Sequence, residues 1–96
     1  MASYSLSIKP SAGKELEAVG SKADRQRIVA KIQALAVDAR PRGSEKLAGY
    51  EDRYRVRQGN YRIVYLVDDD ASVITIYKIG HRKVSGNHAA FYFSSR

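Results

Sequence analysis

Arginines recur in the second half of this chain beside apolar residues. Five of them stand on or just beyond stretches that are typical of strands: Arg53, Arg55, Arg57, Arg62 and Arg82. Fixed charge beside buried strands is costly unless it holds an anion. Guanidinium groups stay charged, present planar donor forks and match the geometry of phosphate. The pattern therefore predicts a site that binds nucleic-acid phosphates and stabilises a pentavalent phosphorane.

The same charges have a second interpretation that needs no ligand. The first three arginines alternate with Tyr54 and Val56, which places three like charges along one side of a strand. Such a row is mildly unfavourable unless an anion bridges it, but a solvated edge strand also carries charge that blocks aggregation. Pairing of the following strands in register would bring Arg55 or Arg57, Arg62 and Arg82 towards one concave face, which favours the phosphate site.

The two histidines are candidates for proton transfer. His81 and His88 can each donate or accept a proton near neutral pH, and a structural hydrogen bond is the alternative role for either. The chain also has seven tyrosines, a residue that stacks on bases and whose phenol can move protons. Most of the tyrosines at strand positions are expected in the core because their neighbours are apolar.

Metal and thiol chemistry are not expected. The chain has no cysteine, which excludes disulfides, thiolate nucleophiles and cysteine-ligated metals. Asp68, Asp69 and Asp70 stand between two apolar runs, a position typical of a hairpin turn. We predict no metal site and no small-molecule cofactor.

Length and charge limit the kind of protein this is. Its 96 residues suit one domain, residues 1–96, and its 17 Lys and Arg against 10 Asp and Glu give a formal charge of +7. Such an excess favours polyanionic partners, although a basic surface can also serve solubility alone. We find no apolar run that could cross a membrane and no signal peptide pattern, so we expect a soluble cytoplasmic protein.

The first half of the sequence predicts a strand and two helices. Tyr4, Leu6 and Ile8 alternate with serines before a proline, which indicates a short strand. Residues 12–19 form a short helical pattern with Ser11 as a candidate N-cap. Residues 24–38 form a longer helix capped by Asp24, and the short link between the helices predicts an antiparallel hairpin.

The second half changes to the two-residue period of strands. A loop over residues 40–46 leads to strands near 53–58, 61–67 and 73–79, joined by tight turns. The second and third strands are almost continuously apolar, so we expect cover on both faces. The fold class is α+β, ordered β-α-α-β-β-β, with a three-stranded antiparallel meander. Residues 84–96 are expected to form a loose or partly helical tail.

In this order the segments resemble the RelE/ParE superfamily of toxins from toxin–antitoxin pairs. The resemblance rests on the helix hairpin and four motifs: residues 46–49 (KLAG), 54–57 (YRVR), 61–65 (YRIVY) and 79–82 (IGHR). It implies a RelE-like fold and an endoribonuclease that cleaves messenger RNA in the ribosomal A site, without metal, by attack of a ribose 2′-hydroxyl on the adjacent phosphate. It also implies neutralisation by a cognate RelB-like antitoxin.

The resemblance assigns roles to individual residues. Arg55 and Arg57 match the basic pair that holds the RNA backbone, Arg62 matches an arginine that stabilises the transition state, and Arg82 matches one that helps to protonate the leaving 5′-oxygen. Further RNA contacts are expected from Arg53, Lys46, His81 and Lys83.

The C-terminal segment departs from the RelE pattern, which places a tyrosine a few residues after the last arginine. His88 stands near that place, Tyr92 lies further on, and a site that works mainly by orienting the RNA is the third possibility. Imidazole is the better base at neutral pH, so His88 is the catalytic candidate.

Two other functions share this scaffold. A ParE-like protein inhibits DNA gyrase without nuclease activity, and a catalytically degenerate member retains antitoxin binding alone. A basic domain of this size offers little area for codon selection, so the ribosome and its messenger RNA are expected partners beside the antitoxin.

Overall fold

A five-stranded sheet organises residues 3–81, the part of the chain that this computed structural model describes. The elements in chain order are β1 (Ser5–Ile8), α1 (Pro10–Glu17), α2 (Lys22–Leu35), β2 (Glu45–Lys46), β3 (Arg53–Gln58), β4 (Tyr61–Asp68) and β5 (Val73–His81). The spatial order is β1-β5-β4-β3-β2. Strand β1 runs parallel to β5 and the other pairs are antiparallel, so the sheet is mixed.

The predicted α+β class and the antiparallel meander, now β3 to β5, are confirmed. Strand β2 was not predicted, because two residues in a loop carry no alternation that could indicate it. The tail predicted for residues 84–96 lies outside the described residues.

Both helices begin earlier than the sequence pattern predicted. Helix α1 starts at Pro10, since the first helical position needs no N–H donor and suits the fixed φ of proline. Helix α2 is capped by Ser21, whose hydroxyl accepts a hydrogen bond from the Asp24 N–H. Asp24 is therefore a residue of the first turn and not the cap, and α2 ends at Leu35 instead of residue 38.

The hydrophobic core lies where the helix pair packs on one face of the sheet. Fully buried side chains come from both layers: Ile28 and Leu35 from α2, and Ile63, Tyr65, Ile74 and Ile76 from the strands. The Tyr65 hydroxyl donates to the Ala39 carbonyl at 2.8 Å, which ties the segment after α2 to the centre of β4. The core thus fixes which face of the meander is left for function.

The acidic run forms the turn that the sequence predicted. Strand β4 ends at Asp68 and a turn follows before β5. Asp69 accepts hydrogen bonds from the Tyr4 hydroxyl at 2.6 Å and from the Arg40 guanidinium at 2.8 Å. Arg40 holds the pKa of Asp69 below its usual value and also bonds the Tyr54 hydroxyl at 2.9 Å. Through these hydrogen bonds the acidic turn links the segment before β1 and the segment after α2 to the sheet.

We expect Tyr65→Phe to lower the free energy of unfolding by about 1–2 kcal/mol at pH 7, because the buried Ala39 carbonyl loses its donor. Burial raises the pKa of Tyr65 to about 12. The phenol thus contributes stability that is complete below its unfolded pKa near 10 and is lost as the pH rises through about 12. Urea unfolding followed by circular dichroism from pH 7 to pH 12 should show a smaller alkaline loss in Tyr65→Phe than in wild type.

Tyr50→Phe is the control, because Tyr50 lies outside the core cluster. An alkaline loss of stability as large in Tyr65→Phe as in Tyr50→Phe would contradict the assignment to Tyr65.

Candidate functional site

The pairing of β3 with β4 separates the meander into two chemically different faces. Tyr54 pairs with Tyr65 and Val56 with Ile63, and this face packs on the helices. Because side chains alternate along a strand, the intervening residues point to the opposite face. We call that side the arginine face, defined by Arg53, Arg55, Arg57 and Arg62.

Arg57 and Arg62 are direct cross-strand partners at the hairpin end of the arginine face. The two-residue loop between their strands needs a left-handed residue, which Gly59 supplies with φ 61°. A shallow pocket of about 140 Å³ lies here, lined by Arg57, Gly59, Asn60, Tyr61 and Arg62. Two guanidinium groups beside an open pocket can hold one phosphate between them.

Arg62 also pairs with Gly80 of β5. A glycine has no side chain, so this position on the third strand adds no bulk beside the Arg62 side chain. The sheet thus brings Arg57, Arg62 and the end of β5 together, as the sequence predicted for the first two.

Arg55 forms an ion pair with Glu45, its cross-strand neighbour on β2. The Arg55 side chain is 23% exposed and that of Glu45 is 57% exposed. Hydrogen bonding to Arg55 holds the pKa of Glu45 below its usual value, and the nearby charges of Arg57 and Arg62 act in the same direction. A carboxylate therefore lies within the field of three arginines of this face.

Arg53 is placed differently from the other three. Its guanidinium lies 4.4 Å from the ring centre of Tyr50 and 4.8 Å from that of Tyr77. Its Nε is buried and has no hydrogen-bond partner within residues 3–81. Cation–π contacts on two rings make Arg53 a packing residue at the far end of the face.

Two predicted RNA contacts lie on the other side of the sheet. Lys46 pairs with Tyr54 and His81 with Tyr61, and both tyrosines belong to the helix-packed face. The His81 ring meets Tyr61 edge to face, with the ring centres 5.0 Å apart. The register therefore separates Lys46 and His81 from the arginine face.

Three predicted site residues, Arg82, Lys83 and His88, and the alternative base Tyr92, lie outside the described residues. Their roles remain predictions.

Glu15 of α1 is a positioning residue that sequence reasoning missed. One carboxylate oxygen accepts a hydrogen bond from the Ile79 N–H at 2.9 Å, and the other pairs with Lys78. Strand β1 ends opposite Ile76. Beyond that point the Glu15 side chain accepts a hydrogen bond from the backbone of β5. This contact fixes the strand end that places Gly80 beside Arg62.

Neither Glu15 nor Glu45 could be identified from local periodicity. Glu15 lies in a helix and Glu45 in a segment that the sequence predicted as a loop, and each meets its partner only through tertiary structure. The one usable signal was charge, since each is an acidic residue in a strongly basic chain.

Within residues 3–81 no three His, Asp or Glu side chains come together as metal ligands. No helix in that range is long and apolar enough to span a membrane.

Comparison with protein families gives one match over most of the chain. The family described as "ParE toxin of type II toxin-antitoxin system, parDE" matches residues 6–85. No curated protein matches the sequence.

Several solved structures share the fold. The RelE–RelB complex of Pyrococcus horikoshii OT3 is 29% identical with a TM-score of 0.72, covering 83% of this chain and 96% of that chain. A chain of the intact RelBE complex of E. coli is 29% identical with a TM-score of 0.70, and the match covers 81% of this chain and 95% of that chain. The isolated E. coli RelE toxin is 26% identical with a TM-score of 0.71, covering 93% and 98%.

We expect Glu15→Ala to lower the free energy of unfolding by about 1–3 kcal/mol, because the Ile79 N–H loses its acceptor. Glu15→Gln keeps an oxygen acceptor and should lose less. Glu17→Ala, a change at an exposed residue of the same helix, is the control. Urea unfolding gives the global effect, and NMR hydrogen exchange should show faster exchange of the Ile79 amide in Glu15→Ala. Equally slow exchange in wild type and Glu15→Ala would contradict the contact.

Proposed function

Because this chain belongs to the RelE/ParE superfamily of toxins from type II toxin–antitoxin systems, we propose that it is a metal-independent endoribonuclease that cleaves messenger RNA in the ribosomal A site. The observation that carries the proposal is the pairing of Arg57 with Arg62 beside an open pocket. A gyrase inhibitor on the same scaffold has no need of an arginine pair beside such a pocket.

The proposed reaction is an internal transesterification of the RNA. The 2′-oxygen forms a bond to the adjacent phosphorus, and the bond from phosphorus to the 5′-oxygen breaks. The 2′-hydroxyl proton goes to a base, and the leaving 5′-oxygen receives a proton. The products are a 2′,3′-cyclic phosphate and a 5′-hydroxyl.

The arginine face supplies the electrostatic part of this reaction. Arg57 and Arg62 hold the phosphate between them, and their fixed charge stabilises the additional negative charge of the phosphorane. Arg55 binds the neighbouring backbone. Positioning and charge stabilisation together account for most catalysis of phosphoryl chemistry in such sites.

The proton transfers are assigned to residues of the C-terminal segment. Arg82, which follows β5 directly, helps to protonate the 5′-oxygen, and His88 acts as the base. Glu15 supports this arrangement because it holds the end of β5, which precedes Arg82 in the sequence.

The proposed protein partner is a RelB-like antitoxin. The P. horikoshii and E. coli relatives were both solved as complexes with RelB. A positively charged face suits an antitoxin segment that places acidic residues near Arg55 and Arg57 and masks the site. The ribosome is the second partner, because it presents the message to a domain with little area of its own.

Gyrase inhibition is the second candidate, since the matching family is described by its ParE toxins. It requires no intact arginine pair. A supercoiling assay with purified gyrase separates the two, because only a gyrase inhibitor should block supercoiling while messages stay intact.

We expect new cuts at in-frame codons when the protein is added to an in vitro translation reaction with a defined message and the products are read by primer extension. Arg62→Ala should slow cleavage by roughly a hundredfold or more, because one donor to the transition-state charge is lost. Arg57→Ala should also slow cleavage, because Arg57 contacts the same phosphate.

Arg27→Ala is the matched control, since it removes one exposed arginine from helix α2, away from the arginine face. Cleavage at the wild-type rate by Arg62→Ala, or an equal loss in Arg27→Ala, would rule out the proposed site.

A further inference from the structure

Glu45 is a carboxylate that the structure places on the arginine face. It lies opposite Arg55 in the β2–β3 pairing and forms an ion pair with it. The Arg55 side chain is 23% exposed and that of Glu45 is 57% exposed, so the carboxylate is the more accessible partner of the ion pair. An anion that binds Arg55 must therefore compete with Glu45.

A carboxylate and a phosphate use the same donor geometry. Both accept paired hydrogen bonds from the planar fork of a guanidinium group, so they compete for one arginine. Exposed ion pairs contribute little net stability, which means that a phosphate can displace the carboxylate. Hydrogen bonding to Arg55 lowers the pKa of Glu45, and the charges of Arg57 and Arg62 act in the same direction.

We propose that Glu45 is a specificity-determining residue of the arginine face, whose carboxylate occupies the phosphate position of Arg55 until an RNA backbone displaces it. The inference rests on the proposed function, since it takes RNA as the ligand. A single phosphate gains little binding free energy by displacing Glu45, because its contact with Arg55 replaces a similar contact between Arg55 and the carboxylate. An RNA strand that already holds Arg57 and Arg62 gains a third contact in the same binding event.

The consequence is selection for extended backbones over free nucleotides. Mononucleotides meet a face whose positive charge is partly cancelled. An RNA segment with successive phosphates overcomes the cancellation because its other contacts hold it in place.

The test is the salt dependence of binding to a labelled single-stranded RNA of ten nucleotides, measured by fluorescence anisotropy. We expect Glu45→Gln to bind roughly threefold to tenfold more tightly at low salt, because Arg55 no longer has a charged competitor. The slope of log affinity against log salt should be steeper in Glu45→Gln than in wild type. The difference should be smaller than about 0.7, the value for one full phosphate contact, because the RNA contacts Arg55 in both proteins. Glu45→Asp keeps the charge and should remain close to wild type.

Glu17→Gln is the matched control, because it removes the same charge from an exposed position on α1. Competition by adenosine monophosphate measures the specificity. The concentration that displaces half of the RNA, divided by the dissociation constant of the RNA, should be lower for Glu45→Gln than for wild type. Circular dichroism confirms that each variant is folded.

Two results would overturn the inference: RNA affinity of Glu45→Gln no higher than that of Glu17→Gln, or unchanged competition by the mononucleotide. The same titration with Arg57→Ala and Arg62→Ala tests the proposed function separately. If these two variants bind RNA less tightly while Glu45→Gln behaves like Glu17→Gln, the role of Glu45 fails and the arginine site stands. If neither arginine variant affects binding, both fail.

Discussion

The register between β3 and β4 is the constraint on which the site depends. Because side chains alternate, a slip of one residue would turn the arginines into the core and expose Tyr54 and Val56. Burial of Tyr65 and Ile63 against the helices makes that slip very costly. The short loop at Gly59 sets the same register from the hairpin end. Packing on one face therefore determines which charges gather on the other.

Four arginines on one face repel each other, and the structure accommodates them in different ways. Arg53 is packed between two tyrosine rings, and Arg55 is paired with Glu45. Arg57 and Arg62 are direct cross-strand partners. Like charges in that position repel each other, so the contacts around them must offset the repulsion. Local conflict of this kind is typical of functional sites, where the surrounding fold offsets it. This hairpin end is where the proposed site would hold a phosphate.

The meander and its arginine row were predictable because both follow from the two-residue period of the sequence. The sequence predicted that Arg62 would share a face with Arg55 or Arg57, and the strand pairing makes Arg57 its direct partner. The contacts of Glu15 and Glu45 were not predictable, because they join residues that periodicity does not relate. His81 was assigned to the RNA site from its neighbours in the sequence, and the strand register places it beside Tyr61 on the other face. The positions of Glu15, Glu45 and His81 all depend on long-range pairing, which local sequence patterns do not contain.

The central claim is that the arginine face acts on a phosphodiester attacked by its own 2′-hydroxyl. The most direct test is a translating ribosome programmed with a message that carries one 2′-deoxynucleotide on the 5′ side of the cleaved bond. The account predicts that cleavage at that bond disappears, while the all-ribose message yields a 2′,3′-cyclic phosphate end. Cleavage of both messages at the same rate would contradict it.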